Sequence, residues 1–194
     1  MSEPRLTPLD PRELDDDSQS LLRRLREDVA TSNVFLTLIR HPQVFRRFIA
    51  YGGELINGTL PARLRELAVL RVAVRCQSNY EWGQHVPEAL SAGLSREEIA
   101  AVAEPLTEGK WLPLDHAVLT AVDQLHESAQ LDDRVWQELV STLQEHAVIE
   151  LVLLVGHFHS VAYFLNAIRV PLDPGIDSLP IAPPVAAEPH EAAS

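Results

Sequence analysis

Ser78, Glu81, Trp82 and His85, within the stretch "SNYEWGQHVP" (78–87), have the types and spacing that proton chemistry requires. Read as a helix at about 100° per residue, they fall within an arc of about 100°, with Tyr80 on the opposite side. Glu81 and His85 stand four residues apart and can touch. A carboxylate raises the pKa of an adjacent imidazole and orients its ring, and an indole that buries the carboxylate raises its pKa in turn. Both shifts keep a donor and an acceptor close to neutral pH, as general acid–base catalysis needs. The same spacing also describes a solvated Glu–His pair, and spacing alone leaves both readings open.

The surroundings add further candidates. Pro87 removes one helical hydrogen bond and crowds the carbonyl of Gly83, which has no side chain. Either the helix kinks after His85, opening space beside the ring, or it begins or ends here. Glu66 lies in the apolar stretch "RLRELAVL". Turned inward it needs a partner, and His85 is one; turned outward it pairs with a surface arginine such as Arg63. Glu150, His146 and His157 fall near one face of the last long apolar stretch, suggesting a cavity or a polar interface there, with His159 and Asn166 on another. The His157–His159 pair has metal-like spacing, but on a helix the two rings point about 200° apart, so no metal site is expected. Cys76 follows Arg75, which can lower a thiol pKa, yet it has no resolving partner and reads as structural.

Nearly all of residues 18–170 has helical periodicity and no run alternates as a strand would, so the expected class is all-α, with about eight helices. Pro42 and Pro61 suit first turns, and Leu64, Leu67, Leu70 and Val74 form one apolar stripe. Asn33, Asp115 and Asp132 are candidate N-caps. Ser95 and Glu98 make a capping box, and Gly93 suits a helix C-terminus. The last helix, about 146–169, ends before Pro171. Its apolar residues lie on more than one side, which suggests burial by neighbours, including another subunit. Residues 1–17 read as a flexible acidic arm and 171–194 as a Pro-rich tail.

A chain of 194 residues with 46% hydrophobic residues is long enough for one substantial core. Its formal net charge of -12 disfavours nucleic acid and anionic membrane surfaces as partners. The single cysteine excludes an intramolecular disulfide and any C-x-x-C pair. The acidic N-terminus has no apolar signal-like core, so the expected setting is cytoplasmic. The run "AVIELVLLVGHFHSVAYFL" (147–165) approaches membrane-spanning length, but Glu150, His157 and His159 favour a helix buried in protein.

The segment "LRELAVLRVAVRCQSNYEWGQHVPEALSAGLSREEIAAVAE" (64–104) resembles the core of the carboxymuconolactone decarboxylase family, which shares its fold with alkylhydroperoxidase D. A weaker likeness extends over about 30–174. The resemblance implies an all-helical subunit that forms homo-oligomers, commonly trimers or hexamers, with a pocket near a subunit interface. In the peroxidase branch the motif is a glutamate followed, after eleven residues, by C-x-H-C-x-x-x-H. Laid on this chain, the glutamate is Glu66 and the final histidine His85. Ser78 and Glu81 stand at the cysteine positions and Tyr80 at the inner histidine. Both redox sulfurs are missing, so dithiol peroxide reduction is excluded.

The Y-E-W-x-x-H form resembles the decarboxylase side of the family, which acts on a carboxylated muconolactone without metal or organic cofactor. The resemblance implies a cofactor-independent lyase or isomerase for a small lactone or carboxylated ring-derived substrate. His85 is then the expected proton donor, Glu81 its orienter or an alternative acid/base, and Glu66 a supporting partner. Ser78, Trp82 and Tyr80 are the expected substrate contacts. Arg71, Arg75 and Arg169 are the nearest cations for a dicarboxylate. A decarboxylase, cyclase or tautomerase of a specialised pathway, or a non-catalytic ligand-binding oligomer, is the alternative.

Overall fold

The computed structural model describes residues 3–106, 110–176 and 178–179. Among these residues the secondary structure is ten α-helices and one 3-10 turn, Pro11–Glu13, with no strand. The first helices are short: α1 (Asp16–Leu22), α2 (Glu27–Ala30) and α3 (Asn33–Leu38). Then come α4 (Pro42–Ile56), α5 (Ala62–Arg75), α6 (Asn79–Ser91) and α7 (Arg96–Val102). The chain finishes with α8 (Pro113–Ser128), α9 (Asp133–Val140) and α10 (Glu145–Ile168).

Helix α5 is the axis of the core. Leu67, Ala68, Val69, Leu70, Val72 and Ala73 are each 0% exposed, because α6, α8 and α10 pack around this helix. Burying a leucine such as Leu67 or Leu70 contributes about 1.5–3 kcal/mol. A helix enclosed on all sides has no solvent face for its polar residues. Glu66 and Arg71 are accordingly buried and held in ion pairs, Glu66 with Arg65 and Arg71 with Asp123.

Several helix boundaries follow the expected signals. Pro42 opens α4, Ser95 and Glu98 form the capping box of α7, and Asp132 caps α9 through the Val135 N–H. Gly93, with φ of 90°, follows the end of α6. Two expected caps differ. Ser32, not Asn33, precedes α3, and the Asn33 N–H instead donates to Asp173. Asp115 lies inside α8, where its carboxylate accepts from Arg63 at 2.8 Å, so an ion pair across helices takes the place of a cap.

The segment expected as a free arm is tied down where it is described. The Arg5 N–H donates to the Ile168 carbonyl at 2.9 Å, and the Leu9 N–H to that of Leu36 at 3.0 Å. At the other end, Asp173 accepts from Asn33, Tyr80 and Gln84. The Leu179 N–H donates to Asn79, and the expected tail beyond, 180–194, lies outside the described residues. Helix α10 is long and apolar enough to cross a membrane, but Val148, Leu151, Leu154, Val155 and Phe158 pack into the same core as α5.

Candidate active site

Helices α5 and α6 run side by side and bring Glu66 to His85. His85 Nδ1 lies 2.8 Å from Glu66 Oε2, while Arg65 Nε donates to Oε1, also at 2.8 Å. Arg65 is itself anchored on the Ile56 carbonyl at the end of α4. Glu66 is 1% exposed, so burial works against its charge. The bonds from His85 and Arg65 outweigh that cost and hold the carboxyl below its ordinary range. An ionised Glu66 accepts the Nδ1–H of His85 and thereby fixes the tautomer, presenting Nε2 for chemistry. Phe158 of α10 packs edge-on against the imidazole, with centroids 5.0 Å apart. The His85 side chain keeps 16% exposure, so the ring is not sealed from solvent.

Glu81 does not orient His85. Its side chain turns into the protein, where the residue is 2% exposed and, among the described residues, neither carboxylate oxygen has a hydrogen-bond partner. Ser78 is its polar neighbour, fully buried, and its hydroxyl likewise has no partner among them within hydrogen-bond geometry. Burial raises the Glu81 carboxyl well above the usual carboxylate range, against a smaller opposing influence of Ser78. Burial therefore favours the neutral, protonated form of Glu81 over the carboxylate. An i,i+4 spacing permits contact on a helix, but Glu66 holds His85 Nδ1, and no hydrogen bond joins Glu81 to the ring among the described residues.

The other expected contacts separate into two groups. Trp82 is 3% exposed and packs into the core around α5. Tyr80 serves the opposite face of α6. Its hydroxyl bonds to Asp173 and accepts the Val34 N–H at 3.1 Å, so it fastens the chain after α10 to α3 and is no substrate contact in this arrangement. Pro87 stands inside a continuous α6 and does not end it.

The arginines proposed for a dicarboxylate are committed elsewhere or remote in role. Arg71 donates to Asp123 and to the Val102 and Glu104 carbonyls, and Arg75 pairs with Asp123 and Glu127. Arg169 is the exposed C-cap of α10. Sequence reasoning missed Arg65, the cation beside Glu66, because an i,i+1 pair points to different helix faces and its meeting depends on the end of α4.

The polar residues of α10 are distributed among structural roles. Glu150 accepts from the Thr59 N–H, the Thr59 hydroxyl and the Leu60 N–H, clamping the connection between α4 and α5. His157 lies among Phe48, Tyr51 and Phe158, and burial lowers its pKa, so it is a neutral core histidine. Cys76 is half-buried, and burial, with Glu81 beside it, pushes the thiol up to about 11 despite Arg75. It is no ready nucleophile at neutral pH.

Residues 42–123 match the model of the carboxymuconolactone decarboxylase family. No curated protein matches the sequence significantly. Among solved structures, an uncharacterised peroxidase-related protein from Ralstonia eutropha with an alkylhydroperoxidase AhpD core aligns with a TM-score of 0.77 at 19% identity, over 90% of this chain and 94% of its own. A protein of unknown function from Agrobacterium tumefaciens, a suggested antioxidant defence protein of the AhpD type, aligns with a TM-score of 0.64 at 18% identity, over 69% and 93%. The debrominase Bmp8, in a cysteine-to-alanine form holding 2,3,4-tribromopyrrole, aligns at 0.73 and 17% identity, over 87% and 91%. At these identities the likeness is one of fold.

Proposed function

We propose that this chain, which belongs to the carboxymuconolactone decarboxylase family, is a proton-transfer enzyme. It acts as a lyase or isomerase on a small lactone or carboxylated ring-derived substrate. One observation carries the reading: a buried, arginine-backed Glu66 bonded at 2.8 Å to a histidine that is still reachable from solvent. His85 moves the proton at Nε2. Glu66 holds the ring and stabilises the imidazolium that forms when Nε2 takes a proton up. Glu81, whose burial beside Ser78 favours the protonated form, is the second acid, and its proton or the Ser78 hydroxyl meets negative charge developing on the substrate.

This chemistry requires no thiol, in keeping with the single cysteine and its raised pKa. Loss of CO2 from a carboxylated lactone leaves a dienolate. The protein has then to stabilise the anion and protonate carbon; in this reading His85 takes a proton from solvent at Nε2 and passes it to carbon, while the Glu81 carboxyl meets the developing anion.

Self-association is part of the proposal. Ile149, Leu153, Gly156, Ser160 and Tyr163 form an exposed stripe along α10, with Ile149 at 60% and Tyr163 at 63% exposure. That stripe suits a helix of a second copy, in a trimer or hexamer.

The test follows 4-carboxymuconolactone by its ultraviolet absorbance with the purified chain. Decay that is lost in His85→Gln supports the reading. Binding of the lactone without turnover would make this a ligand-binding site instead.

A further inference from the structure

Three side chains outside the proton-transfer site converge where α5 ends. Cys76 is the C-cap of α5, His126 stands in the last turn of α8, and His159 lies within α10. One ligand atom from each lies within 4.8 Å of the other two. No spacing in the sequence links them, and the His157–His159 pair is not the connection, since His157 faces Phe48 and Tyr51.

The local bonding prepares these atoms. His159 Nδ1 donates to the Val155 carbonyl at 2.8 Å, leaving Nε2 as the lone-pair nitrogen and fixing the ring. His126 Nδ1 lies 2.9 Å from that Nε2, so the two rings share one proton. Asn166 donates to the Cys76 carbonyl at 2.8 Å, tying the cysteine's turn to the helix that carries His159. Gln77, the next residue, takes a φ of 53°, a left-handed conformation that turns the chain sharply from Cys76 into α6. Arg75, the nearby cation, is offset by Asp123 and Glu127.

We infer that Cys76, His126 and His159 bind a divalent transition metal of the zinc class. One sulfur and two imidazoles are the donors that zinc and cobalt favour, and three protein ligands leave a fourth tetrahedral position for water or another small ligand. On binding, the Cys76 thiol releases its proton to solvent and the sulfur bonds the metal. The proton shared by the two rings moves to the other nitrogen of His126. No change of oxidation state is involved. The ion would join the ends of α5 and α8 to α10, two residues ahead of Ser78.

The test titrates the full chain, tag-free and reduced, with Co2+ and then displaces it with Zn2+. The expected result is one equivalent per chain, a thiolate-to-cobalt charge-transfer band in the near ultraviolet, and the intense visible bands of tetrahedral cobalt. Cys76→Ser abolishes the charge-transfer band, His126→Ala weakens cobalt binding at least about tenfold, and His41→Ala changes neither. Circular dichroism verifies that each variant is folded. Absence of the band in the parent chain, or equal binding by the parent, Cys76→Ser and His126→Ala, overturns the inference. The readout is spectroscopic and separate from lactone turnover, so either proposal can fail without the other.

Discussion

Glu66 reaches His85 across two helices, Oε2 to Nδ1 at 2.8 Å, whereas Glu81, one turn before His85 on the same helix, has no hydrogen-bond partner among the described residues. The two carboxyls are therefore pushed in opposite directions. His85 and Arg65 favour the anion of Glu66, and burial favours the neutral form of Glu81. Two acids pushed apart by their environments give a site one fixed negative charge and one available proton.

This divergence has a signature in stability. The folded pKa of Glu66 lies below its ordinary value near 4.5, so its stabilising contribution is present above that value and is lost as pH falls through the folded pKa. Glu81 has a folded pKa above 4.5, so the fold suffers no penalty from it below 4.5 and loses stability as pH rises from there toward the folded pKa. Thermal melts across the acid and neutral range should show Glu81→Gln more stable than the parent near neutrality, and less so toward acid. Glu66→Gln should be less stable near neutrality, with the difference shrinking in acid. Parallel curves for all three proteins would contradict this assignment.

Activity should move the other way for Glu81. Glu81→Gln keeps the shape but removes the acidic proton, and turnover should fall about 10²-fold or more even as the fold gains stability. An active and stabilised variant would take Glu81 out of the chemistry.

Tyr80 is predicted to be a fastener. Tyr80→Phe removes the hydroxyl that joins Val34 to Asp173 and should cost about 1–2 kcal/mol in denaturant unfolding. Hydrogen exchange at residues 170–173 should rise, with kcat little changed. A loss of turnover with stability intact would instead return Tyr80 to the substrate.

Gly52 tests the packing of His157. A Cβ at this position would lie 2.8 Å from His157 Nε2, nearer than carbon and nitrogen can sit. Gly52→Ala should destabilise by about 1–3 kcal/mol. Adding His157→Ala should recover part of that loss, a non-additivity expected only if the two positions clash.

The helices were legible because their punctuation is local. Pro42, Ser95–Glu98, Gly93 and Asp132 each act within one turn of the residue that reads them. The bond between Glu66 and His85 was one of two readings for Glu66, and packing of α5 against α6 decided it. The expected Glu81–His85 pair failed because helical spacing permits a contact without selecting it: Glu66 holds His85 Nδ1, and Glu81 is buried with Ser78. Asp115 was misread as a cap because its partner, Arg63, lies on another helix. The meeting of Cys76, His126 and His159 was illegible for the same reason, since it arises from three elements that only the tertiary fold brings together.

The central claim is that Glu66 and His85 work as one unit in proton transfer, and a double-mutant cycle on kcat/KM for 4-carboxymuconolactone tests it most directly. Glu66→Gln should lower kcat/KM about 10²-fold and His85→Gln by about 10²–10⁴-fold. The double variant should be no worse than His85→Gln, because the carboxylate acts only through the ring. Additive losses, or a His85→Gln enzyme as fast as the parent, would contradict the account.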